Sequence, residues 1–114
     1  MEHTVKEKSF LFAIRIVNVY KHFTQTQNEY ALSKQLLRCG TSIGANVAEA
    51  QQAQSRADFI SKLSIALKEA SETDYWLRLL KATNYLSEEE SSSLLGDCQE
   101  IEKMLTAIVR TAKS

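Results

Sequence analysis

Leu94, Cys98, Ile101, Leu105, Ile108 and Ala112 recur at alternating steps of four and three near the end of the chain. That spacing holds apolar side chains on one side of an α-helix. Phe59, Leu63, Ala66, Ala70 and Leu77 follow the same rule, as do Leu32, Leu36, Cys39, Ile43, Val47 and Ala50. Near the N-terminus the pattern changes. Phe10, Leu11, Phe12, Ile14, Ile16, Val17, Val19, Tyr20 and Phe23 cover most of a helix circumference, leaving a polar strip of Lys8, Arg15, Asn18 and His22. A helix apolar nearly all round is one buried on several sides.

Each apolar pattern is preceded by a Ser or Thr with a carboxylate three residues on, a pairing that satisfies the free amides of a helix start. The pairs are Thr4 with Glu7, Thr26 with Glu29, Ser55 with Asp58, and Ser87 with Glu90. They predict four helices, over residues 5–23, 27–54, 56–83 and 88–112. The short connections between them force neighbours antiparallel. The expected fold is all-α, an up-down-up-down four-helix bundle forming a single domain over residues 1–114.

Some residues do not fit the interior of one bundle. Arg38, Ser42, Ala45 and Glu49 fall on the side of the second helix away from its apolar stripe. Ile65, Glu69, Glu72, Trp76 and Leu79 form a similar line on the third helix. A line mixing tryptophan, aliphatics and carboxylates fits an interface better than a face turned only to water, because aromatic residues concentrate in interface cores. These nine residues are the candidate surface for assembly into a homo-oligomer. The stretch RCGTSIGANVAEA adds Gly40 and Gly44, each costing roughly 1 kcal/mol against alanine in a helix interior. With Ala48 they form a ridge of minimal side chains that admits a close helix, either from another copy or from the bulky first helix of the same chain.

Composition narrows the chemistry. Fourteen basic and fourteen acidic residues among 114 cancel, so the chain lacks the positive excess expected of a nonspecific nucleic-acid binder. By segment, the charge is +2 over residues 1–23, 0 over 24–54, +1 over 55–86 and −3 over 87–114. Repetition in an oligomer would gather Lys6, Lys8, Arg15 and Lys21 around one mouth or channel, making them the candidate RNA or DNA contacts. Cys39 and Cys98 have no metal or redox spacing and read as buried, reduced thiols. Neither His3 nor His22 stands three residues after a glutamate, so the di-metal motif of ferritin-like bundles is missing. There is no glycine-rich phosphate loop and no recognisable nucleophile with its base. Gly96 has no expected role beyond packing. The charged N-terminus and the short apolar run broken by Arg15 predict neither a signal peptide nor a membrane span. The expectation is a cytoplasmic, non-enzymatic protein with no cofactor, metal or small-molecule substrate.

LLRCGTSIGANVAEAQQAQSRADF and DFISKLSIALKEASE resemble the four-helix-bundle family of proteins encoded in 23S ribosomal RNA intervening sequences. The matching positions are Arg38, Ser42, Ile43, Asn46, Val47, Ala48 and Glu49, then Asp58, Phe59, Ser64, Ile65, Ala66 and Glu72. The chain departs from the pattern at Gly44, where proline is common, at Ala50, where glycine is common, and at residues 51–54, which replace a turn bearing glycine and arginine. The resemblance implies a homopentamer around a central channel, without established enzymatic activity. The family's name implies an association with ribosomal RNA, and the resemblance extends to accessory proteins of diversity-generating retroelements, which bind nucleic acid and a reverse transcriptase. Two functions follow as expectations: a self-assembling scaffold or adaptor, or an RNA- or DNA-binding accessory protein.

Overall fold

Three of the four start signals cap helices in the computed structural model, which describes residues 4–114; His3 lies outside the described residues. The Thr4 side chain accepts from the Glu7 amide and opens α1 (Val5–His22), and Ser55 accepts from Asp58 to open α3 (Arg56–Ala82). Ser87 and Glu90 form a complete reciprocal capping box at the start of α4 (Glu88–Lys113). Glutamates follow that cap and Arg110 and Lys113 lie in the last turn, so the charges complement the helix dipole.

The second helix departs from expectation at both ends: α2 spans Ala31–Ala50 rather than residues 27–54. Thr26 and Glu29 do not form a capping box. The chain leaves α1 through a single wide π-helical turn, Phe23–Gln27, and Asn28 stops it in the left-handed region at φ 54°. Glu29 then swings its carboxylate onto the start of α2, accepting from the amides of Ala31, Leu32 and Ser33 at 2.7–3.1 Å. At the other end the helix unwinds into three-residue bonds, with Gln51, Gln52 and Ala53 donating to Ala48, Glu49 and Ala50. Between α3 and α4, Asn84 is left-handed at φ 68°, and the Tyr85 amide returns to the Leu80 carbonyl. That is the Schellman arrangement with asparagine in the place usually taken by glycine. A chain without proline thus makes two of its breaks with asparagine.

Successive helices run antiparallel, and α1 returns to lie beside α4. Gly44 lies against Ser9, Arg38 pairs with Glu72, Cys98 reaches the Ala70 carbonyl, and Arg15 pairs with Asp97. The bundle measures 44 × 25 × 22 Å. Phe12, Ile16, Leu36, Ile43, Leu63, Leu77, Ile101 and Leu105 fill its centre. Val109 is buried where the pattern predicted Ile108, which is only partly covered. Ser9, Ser33, Thr73 and Ser91 are also buried, each with its hydroxyl bonded to a carbonyl one turn earlier. Small residues that satisfy themselves in this way let helices close up without stranding a polar group. Among the described residues no helix is long and apolar enough to cross a membrane.

Both central glycines serve contacts inside the chain. A Cβ on Gly40 would stand 2.9 Å from the Ile16 side chain, and one on Gly44 would stand 3.1 Å from the Ser9 carbonyl oxygen. Gly40 and Gly44 therefore seat α1 on α2, while Ala48 at the end of the ridge is exposed. Gly96 faces open space, with nothing within 4 Å, so the packing role expected of it is not seen.

Candidate functional site

The two polar-apolar lines on α2 and α3 meet along one face. Arg38 donates to Glu69 at 3.2 Å and also pairs with Glu72, whose carboxylate accepts the Trp76 indole N–H at 3.2 Å. Lys62 pairs with Glu49 at 3.4 Å. Arg38 meets both glutamates within one copy, because α2 and α3 run side by side and bring the three residues together. Around this cluster Ala45 and Ile65 are exposed, while Ser42, Trp76 and Leu79 are half-buried. Tyr75, which sequence reasoning did not single out, is exposed and stands edge-on to Trp76, ring centroids 5.3 Å apart.

A second surface lies on α1. Phe10 is 66% exposed, Leu11 49% and Ile14 44%. Beside Leu11 and Ile14 runs a groove of ≈ 400 Å³ between α1 and α4, crossed by Lys8–Glu100 and Arg15–Asp97. Arg15 also donates to Ser93. Of the four candidate nucleic-acid contacts, Lys8 and Arg15 are thus neutralised by acids of α4. Lys6 and Lys21 remain exposed on α1, about 22 Å apart at 1.5 Å per residue. Within one copy the four do not form one basic patch.

The interior holds one thiol next to a carboxylate: Cys98 Sγ lies 3.7 Å from Glu102 Oε1 and 3.2 Å from the Ala70 carbonyl. Burial, followed by the neighbouring negative charges of Glu102 and Asp74, pushes this thiol far above its ordinary range. Burial also raises Cys39. Activated nucleophiles need the opposite, a stabilised thiolate. Burial pushes the Glu102 carboxyl up as well, helped by Asp74 across the α3–α4 seam. Asp74 is itself bound by Arg78 at 2.6 Å. The described residues contain no group of three or more His, Cys, Asp or Glu arranged to hold a metal ion. His22 lies in the last turn of α1, where a basic residue suits the dipole.

The structure defines an all-α protein of four antiparallel helices with two exposed polar-apolar surfaces, one along α2 and α3 and one on α1. The family model of the 23S rRNA-intervening sequence protein matches residues 1–107, and the chain belongs to that family. The crystal structure of a protein of unknown function from the S23 ribosomal protein family of Bacteroides thetaiotaomicron VPI-5482 superposes with a TM-score of 0.92. The two share 58% sequence identity, over 93% of this chain and 95% of that one. Among curated proteins nothing matches.

Proposed function

We propose that this protein is a non-enzymatic, cytoplasmic scaffold that works as a homo-oligomer, with five copies as the family resemblance implies. The carrying observation is the apolar exterior of α1, where Phe10, Leu11 and Ile14 stand 66%, 49% and 44% exposed within a span of five residues. Ile65 and Tyr75 on α3 add 40% and 59% exposed side chains. Contiguous apolar surface of this kind marks an interaction site, and closed assemblies of identical chains are the commonest way to cover it. The balanced net charge, 14 against 14, sets no long-range repulsion between copies.

Size-exclusion chromatography with light scattering tests this reading. The expected result is one species with the mass of several protomers, unchanged when structured RNA is added at low salt. A monomer at high concentration overturns the scaffold reading. A shift with RNA at low salt, where phosphate contacts are strongest, replaces it with the nucleic-acid one.

A further inference from the structure

Glu102 stands between a buried cluster and a surface pocket. On its inner side Asp74, only 8% exposed, reaches across from α3 and hydrogen-bonds the Glu102 carboxyl, and Cys98 Sγ lies 3.7 Å from Glu102 Oε1. Two carboxyls in such contact hold a proton between them, because two ionised ones repel. Arg78 is bonded to Asp74 at 2.6 Å, which leaves that proton to Glu102. Burial first, then Asp74, hold the inward carboxyl above its ordinary range. On its outer side Glu102 borders a shallow pocket of ≈ 490 Å³ on α4, with Lys103, Thr106 and Arg110 along the rim. No other acid lines this pocket, and among the described residues neither Lys103 nor Arg110 has an acidic partner. Of the remaining elements, α2 brings the Cys39 thiol near Cys98. α1 meets α4 at Asp97 and Glu100, on the side turned away from Glu102.

The inner and outer positions suit different charge states. Turned in, a neutral carboxyl donates to Asp74 and leaves no polar atom stranded. Turned out, a carboxylate regains water and faces two free cations. We propose that Glu102 is a proton-operated gate on the α3–α4 seam, closed on Asp74 beside Cys98 when protonated and open toward Lys103 and Arg110 when ionised. The outward turn removes a bridge between α3 and α4, so the seam opens more often as pH rises.

Carboxyl NMR and hydrogen exchange on the intact protein test this. With 13C at the aspartate and glutamate carboxyls, Glu102 is expected to titrate above the ordinary carboxylate range, and Asp74 to respond at the same midpoint. Amide exchange across the seam, over residues 70–78 and 98–106, is expected to accelerate through that midpoint after correction for its intrinsic rise with pH. Linkage sets the size of the step at about tenfold for each unit by which the midpoint is raised. Glu102→Gln keeps an inward donor and has no proton to lose, so it should remain folded by circular dichroism and show no step. A Glu102 midpoint in the ordinary range, a midpoint that Asp74 does not share, or corrected exchange that stays flat overturns the gate, and wild type alone decides all three. Equal steps in wild type and Glu102→Gln also overturn it, by assigning the opening to another group.

Discussion

The Ile16 side chain rests directly on Gly40, leaving no space for a methyl group: a Cβ there would lie 2.9 Å from both Cγ atoms. Ile16 is fully buried and β-branched, so it cannot rotate away. Gly40→Ala is expected to lose about 1–3 kcal/mol of stability through overpacking, despite the gain in helix propensity. Gly96→Ala, which meets nothing, is expected to gain about 0.5–1 kcal/mol. Urea unfolding of the two variants measures both, and equal effects would remove the packing account of Gly40.

Glu29, rather than Thr26, begins α2. Glu29→Ala is expected to destabilise the protein by about 1 kcal/mol, the usual worth of a helix cap, and Thr26→Ala by a few tenths at most. Partial burial pushes the Glu29 carboxyl up, but the amides of Leu32, Ser33 and Ala31 outweigh it and hold the carboxyl below its ordinary range. This contribution is therefore present above the ordinary carboxylate range and lost as pH falls through the lowered value. Unfolding of wild type and Glu29→Ala should converge in acid.

Arg38 is a half-exposed partner of two glutamates in its own chain. Arg38→Ala should remain folded and lose less than about 1 kcal/mol, with the loss shrinking as salt is added. Urea unfolding at low and high ionic strength checks this. A salt-independent loss of several kcal/mol would mean that the guanidinium supports the core.

Glu102 carries the opposite pH signature to Glu29. Burial and Asp74 raise its carboxyl in the native state, so the folded protein holds a proton that the unfolded chain releases. The associated stability is present at low pH and lost as pH rises through the raised value. Glu102→Gln should flatten that decline, leaving the variant more stable relative to wild type at pH 7 than at pH 4. Denaturant titrations across the range measure the slopes.

Both thiols are buried and raised. A disulfide-exchange reagent at neutral pH should label neither Cys39 nor Cys98 in the native protein and both in denaturant. Rapid labelling of either thiol without denaturant would contradict their placement in the core.

Much of the fold was legible because burial follows periodicity. The stripe from Leu94 to Leu105 needed only its spacing, and three Ser or Thr caps needed only a carboxylate three residues on. The start of α2 was not legible in the same way. Thr26 and Glu29 have the spacing of a capping box, but Thr26 is taken up in the π-helical turn that ends α1, before α2 begins, and only three-dimensional placement shows the Glu29 carboxylate turning forward. The glycines illustrate the same limit. Sequence showed that Gly40 and Gly44 had to admit something close, while the choice between a second copy and α1 depended on where Ile16 and Ser9 fell. On the surface, the Arg38, Glu69 and Glu72 positions were legible as a polar line, but their mutual pairing required the register of α2 against α3.

The joint between α1 and α4 differs from the other three. α2 is joined to α1 by glycine-close contact, and α4 sits on α3 through buried leucines and Cys98, whereas α1 and α4 meet across a groove spanned by two ion pairs. The molecule is bound like a book along its α2–α3 spine. Two partly exposed ion pairs latch its opening edge over the buried Phe12 and Ile101, so added salt loosens that latch as it loosens the Arg38 pairs along the spine.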